Sequence, residues 1–153
     1  MVGLSFGLTS GIITTMGMMV GLHSSTHSTL AVLGGIIAIA VADAFSDAMG
    51  IHISEEAEGV HTSKEVWEAT ISTFITKFIV ALTFVVPILL LPLNTAVIAG
   101  IIWGFALLAT FSAIIAKMQN ESAGKAVFEH IGLAVAVVAI THWLGEYISA
   151  VFV

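Results

Sequence analysis

Leu30-Ala-Val-Leu-Gly-Gly-Ile-Ile-Ala-Ile-Ala-Val-Ala-Asp43-Ala-Phe-Ser46-Asp47-Ala-Met49-Gly-Ile-His52-Ile-Ser-Glu55-Glu56-Ala-Glu58 decides the reading of this chain. Its first part is apolar for long enough to enter a bilayer as a helix. Its last part is acidic and has to leave again. Between them stand Asp43 and Asp47, four residues apart, which a helix places on one face a turn from each other. A carboxylate at membrane depth is costly and marks a functional position by default. Two of them on one face, followed by an acidic exit, point to a path for a cation.

The composition agrees with a bilayer environment. Of 153 residues, 58% are hydrophobic and 9% charged, and the mean hydropathy is +1.10; soluble domains carry about a quarter charged residues. The chain reads as one all-α, multi-pass membrane domain in contact with a lipid bilayer. Ten acids against four lysines leave a formal charge of −6. That balance excludes nucleic acid as a partner, since phosphates need clustered Lys and Arg, and it suits cations. With no cysteine there is neither a disulfide nor a thiolate metal site. The N-terminus lacks the positive n-region of a signal peptide, so its apolar stretch reads as a retained span.

Five spans follow, at about 4–22, 30–53, 71–91, 96–116 and 126–153. On the first, Gly3, Gly7, Ser10, Thr14, Gly17 and Gly21 form a stripe of small residues that lets helices approach closely. The stripe serves either a twofold dimer seam or packing inside one protomer. Met16, Met18 and Met19 read as packing. His23 and His27 read as polar residues of the first loop, with metal binding at an exit mouth as the alternative, and Ser28 or Thr29 caps the second span. Residues 54–70 are expected to form a short acidic cytoplasmic turn. Gly59 is its helix C-cap, and Thr62-x-x-Glu65 a capping box that starts the third span. His52, Glu55, Glu56, Glu58, His61, Glu65 and Glu68 gather there, either as metal ligands, since oxygen and imidazole donors suit divalent first-row metals, or as an ordinary solvated turn. Pro87 is expected to kink the third span. The turn Pro92-Leu-Asn94-Thr95 is expected to cap the fourth. On the fifth, Glu129, His130, His142 and Glu146 read as structural or water-facing.

Lys64, Lys117 and Lys125 fall on the side of the N-terminus, which the positive-inside rule makes cytoplasmic and which puts the C-terminus outside. At 1.5 Å per residue, Asp43 lies roughly 15 Å and Asp47 roughly 9 Å from the cytoplasmic end, with Lys77 and Ser10 at a similar depth. These four residues, with Thr14 beside them, form one candidate layer of a transport path. Lys77 either pairs with an aspartate or snorkels to the interface. Asp43 and Asp47 are the candidate metal ligands in that layer. Burial and mutual repulsion favour protons on them when the metal is absent, and metal binding then releases those protons.

Three stretches resemble the vacuolar iron transporter family: Gly7-Leu-Thr-Ser10-Gly11-Ile-Ile-Thr14-Thr15-Met-Gly17, Ala44-Phe-Ser46-Asp47-Ala-Met-Gly50-Ile-His52-Ile-Ser54, and Ile131-Gly-Leu-Ala-Val-Ala-Val-Val-Ala-Ile-Thr141-His-Trp-Leu-Gly145. They occur in the family's order, and the similarity runs over nearly the whole chain with the same five spans. The resemblance implies a homodimer that moves Fe²⁺ or Mn²⁺ out of the cytosol in exchange for protons. The metal is the transported ion rather than a resident cofactor, and the path runs between protomers along the first two helices. The large cytoplasmic metal-binding domain of eukaryotic members is here reduced to the acidic turn. Ser10 stands where the family usually has Asp, and Asp47 where it commonly has Met. A carboxylate lost on the first helix is thus regained on the second. The rival classes are a membrane-embedded metal- or haem-binding redox protein and a structural membrane protein without an ion path. The leading reading is a transporter, not an enzyme.

Overall fold

A computed structural model describes residues 2–152; Val153, the end of the fifth expected span, lies outside them. Six helices follow in order: α1 Val2–Thr26, α2 Thr29–Glu58, α3 Ser63–Thr83, α4 Val85–Leu90, α5 Leu93–Met118 and α6 Ala123–Phe152. With α3 and α4 taken as one broken span, five segments are long and apolar enough to cross a membrane.

The helices outrun the apolar stretches that announce them. Hydropathy marks where a helix is apolar, whereas hydrogen bonds and caps decide where it stops. The expected acidic turn over 54–70 is therefore mostly helix, and only residues 59–62 lie between α2 and α3. Gly59 ends α2 with φ 66°, a left-handed conformation that costs glycine little. Thr62 and Glu65 form the expected capping box, in which the Thr62 N–H donates to Glu65 Oε2 at 2.8 Å. Ser28 caps α2 by accepting from the Ala31 N–H. Of the turn Pro92-Leu-Asn94-Thr95 expected to cap the next span, Pro92 is the N-cap of α5, without a side-chain bond, and the other three residues already belong to the helix. Asn94 bonds His23.

The break between α3 and α4 falls at Phe84, three residues before Pro87. Proline lacks the N–H that would bond the carbonyl four residues back, here Thr83, and its ring clashes with that carbonyl. The Thr83 hydroxyl donates to the Val80 carbonyl at 2.7 Å and accepts from Trp103 Nε1 at 3.0 Å, which braces the break against α5.

At the centre stands α1. Of its apolar stretch 56% is buried within the protomer, against 6% for α6. Lipid tails are as apolar as leucine, so close packing rather than water exclusion holds such helices together. The glycines show how. A Cβ on Gly3 would run into Ala69, one on Gly7 would lie 2.9 Å from the Thr73 carbonyl, and one on Gly11 would lie 3.0 Å from Lys77 Cγ. Each pair differs by 66 in number (69 − 3, 73 − 7, 77 − 11), so α1 and α3 run parallel in constant register. Further along, Gly17 meets Val137 and Gly21 meets Thr141, again parallel, at an offset of 120 (137 − 17, 141 − 21). The glycines of the small-residue stripe are therefore engaged inside the protomer, some with α3 and others with α6. Met16 and Met19, fully buried, fill the space over Gly104 and Gly100 of α5.

Candidate functional site

The polar layer expected from depth alone is one connected cluster. Lys77 reaches it from α3, with 1% of its surface exposed. Its stem passes Gly11, where the missing side chain leaves room. The ammonium contacts Asp43 Oδ2 at 2.6 Å, Asp47 Oδ2, and Ser10 Oγ at 2.9 Å. Three N–H donors thus meet three oxygen acceptors. Lys77 does not snorkel; it pairs with both aspartates.

From α1, Ser10 Oγ donates to Asp47 Oδ2 at 2.9 Å, and Thr14 Oγ1 lies 2.9 Å from Asp43 Oδ2. Thr14 Oγ1 is also 2.9 Å from the Ser10 carbonyl, so its single proton serves two acceptors. Two carboxylates and one ammonium leave a net charge of −1. All these contacts use Oδ2. Among the described residues the Oδ1 atoms of Asp43 and Asp47 make no hydrogen bond. The two side chains are 24% and 21% exposed, unlike the sealed lysine. Thr14 borders an open groove of about 450 Å³ between α2 and α6, lined by Ile39, Met18, Val137 and Thr141. Of the layer, Thr14 alone lines this groove. Lys77 stands between the two carboxylates, so its ammonium relieves their expected mutual repulsion.

The acidic end is less unified. Glu55, nearly buried, lies 3.2 Å from His61 Nε2, and Glu58 lies 3.8 Å from the same atom. Glu65 is occupied by its cap, and Glu68 faces Lys64 at 3.6 Å. Glu56 is exposed. His52 stands apart: its Nδ1 is 2.9 Å from Thr70 Oγ1 and its ring packs edge-on against Trp67. The Thr70 hydroxyl is also 2.7 Å from the Val66 carbonyl. Glu55, His61, Glu65 and Glu68 do share one cavity of about 490 Å³ with Leu4 of α1. Among the described residues no three His, Asp or Glu side chains converge as a metal set. Of the seven residues expected there, Glu55, His61, Glu65 and Glu68 line this cavity, and His52, Glu56 and Glu58 do not.

At the opposite end His23 Nε2 bonds Asn94 Oδ1 at 2.9 Å, and the His23 and His27 rings are 5.5 Å apart. Two serine–histidine pairs tie helices together: Ser24 Oγ with His142 Nδ1 at 2.6 Å across α1 and α6, and Ser112 Oγ with His130 Nδ1 at 2.8 Å across α5 and α6. Glu129 faces Lys125 at 3.8 Å, and Glu146 is exposed. Both serine partners, and the role of Gly11 beneath Lys77, escaped the reading of the sequence. The spacing Gly3, Gly7, Gly11 carried a signal for the latter.

No protein-family model, curated protein or solved structure matches the chain. The resemblance to vacuolar iron transporters stands on the three quoted stretches.

Proposed function

We propose that this protein is a divalent-cation transporter that carries Fe²⁺ or Mn²⁺ out of the cytosol through the Asp43–Asp47 layer, as a homodimer and in exchange for protons. The observation that carries the reading is the charge excess of the cluster. Neutralising one buried lysine takes one carboxylate, yet two are present, each with an oxygen uncommitted. A surplus negative charge in the bilayer is costly unless a cation visits it. Hard oxygen donors, carboxylates with the Ser10 and Thr14 hydroxyls beside them, suit Mn²⁺ and Fe²⁺.

Three further features support it. The mouth of Glu55, His61, Glu65 and Glu68 attracts cations to the end where the lysines place the cytosol. The groove beside Thr14 offers a twofold partner a surface that brings two copies of the layer together. The motifs resemble those of a transporter family. One observation favours the rival structural reading: the Lys77 donors are already saturated.

Mn²⁺ flux into proteoliposomes decides between them. Wild-type protein should carry Mn²⁺ and move protons the other way, and Asp47→Asn or Asp43→Asn should abolish flux while the protein stays folded. Unchanged flux and proton response in both variants would end the transport reading.

A further inference from the structure

The buried ammonium of Lys77 has no part in that reading beyond neutralising charge, yet it is the most tightly enclosed group of the layer. We propose that Lys77 is a tethered cation that sets how strongly the layer holds a divalent ion. The inference rests on Asp43 and Asp47 being the transport site.

Its placement carries the argument. The stem is confined along Gly11, where even a Cβ would crowd Lys77 Cγ, so the ammonium has little freedom to leave. It takes Oδ2 of both aspartates, the same oxygens that Ser10 and Thr14 bond, and leaves Oδ1 of both uncommitted. A visiting cation at those Oδ1 atoms sits across the carboxylates from a fixed positive charge. Repulsion over a few ångströms in a poorly screened interior is substantial. Without Lys77 each protomer would present two negative charges, a full match for one divalent ion. With it each presents one. A transport site must bind well enough to load and weakly enough to unload, and a built-in cation shifts that balance toward unloading. Ser10 contributes a neutral hydroxyl to the same ammonium, so the layer's charge is set by three side chains, Asp43, Asp47 and Lys77.

Mn²⁺ binding to the full-length protein in lipid nanodiscs, followed by loss of the free-Mn²⁺ paramagnetic resonance signal, tests this without reference to flux. Lys77→Met keeps a linear stem and removes the charge; it should bind Mn²⁺ at least about tenfold more tightly than wild type. Lys77→Arg keeps the charge and should bind as wild type does. Ser10→Asp leaves Lys77 in place and restores the second net negative charge; it too should tighten binding. Lys77→Met decides if it purifies folded, and Ser10→Asp decides if it does not. Wild-type binding that the deciding variant leaves unchanged or weakens would overturn the role of Lys77 alone. Absence of Mn²⁺ binding in every form would overturn the transport reading and this inference together.

Discussion

Gly11 lies directly against Lys77: a Cβ on the glycine would sit 3.0 Å from the lysine Cγ and 3.4 Å from its Cα. The one charged side chain that α3 sends into the apolar interior therefore depends on the absence of a side chain on α1. Packing and electrostatics meet at this pair. The close approach of α1 and α3 brings the ammonium within reach of α2, and the aspartates of α2 make the buried ammonium tolerable.

Substituting Gly11 by Leu is expected to force the lysine stem aside and to cost about 1–3 kcal/mol from overpacking alone. Gly34 and Gly50 of α2 have nothing within 4 Å of an added Cβ. Gly34→Leu and Gly50→Leu should leave the melting temperature in detergent unchanged or raised. Equal destabilisation at all three positions would show that close packing at Gly11 has no special weight.

The ion pair makes a separate prediction. Asp47→Asn leaves the Lys77 ammonium short of one charged acceptor, and Lys77→Met leaves two neighbouring carboxylates without their counter-ion. Lys77→Met should lower stability, by about 3–5 kcal/mol if the carboxylates left behind stay buried and charged; Asp47→Asn, which leaves Asp43 to neutralise the lysine, should cost less. The double variant should be more stable than the sum of the two losses by about 1 kcal/mol or more. Additive losses in a denaturation cycle would argue that the contact is not energetically coupled.

Much of this is legible in the sequence. Asp43, Asp47, Ser10 and Lys77 fall at one depth by counting residues along helices, and they do meet. Depth, however, fixes one coordinate and leaves each helix free to rotate about its axis. Rotation decided whether Lys77 turned toward Asp47 or toward the interface, and nothing local to residue 77 encodes it. The same limit applies to the small-residue stripe. Gly7 and Gly11 are four apart and turn toward α3, whereas Ser10 and Thr14 look past it to the carboxylates. One stripe in the sequence is two faces in space. Caps were legible because their chemistry is local, as Gly59 and Thr62 with Glu65 show. The Ser24–His142 and Ser112–His130 pairs were not, since their members lie 118 and 18 residues apart on different helices.

Sidedness is tested by thiol labelling, which is clean because the chain has no cysteine. Leu4 borders a cavity with Glu55 and His61, and another with Met118 and Gln119, so the N-terminal end, the α2–α3 turn and the α5–α6 turn lie together. Cysteines at Glu58 and Asn120 should react from one side of sealed vesicles, the cytosolic one, and a cysteine at Thr95 from the other. Labelling of positions 58 and 120 from opposite sides would refute the five-span arrangement.

The last prediction concerns the dimer, and the structure changes which residue should probe it. Gly17 is a poor choice, because a Cβ there would lie 2.8 Å from Val137 Cγ1 of the same protomer, so any larger residue disturbs α1 against α6 before it disturbs a partner. Met18 is better placed. It is half-buried and lines the open groove between α2 and α6 together with Thr14 and Gly21. In a twofold interface a residue close to the axis faces its own copy. Oxidation of Met18→Cys in native membranes should therefore yield a covalent dimer, provided the two Cα atoms come within about 7 Å. Ile98 of α5 is exposed on a different helix, and Ile98→Cys should stay monomeric under the same oxidant. A covalent dimer through Ile98 and none through Met18 would move the seam away from α1. The Asp43 and Asp47 layers of two protomers would then no longer share an axis, and each protomer would have to carry its cation alone.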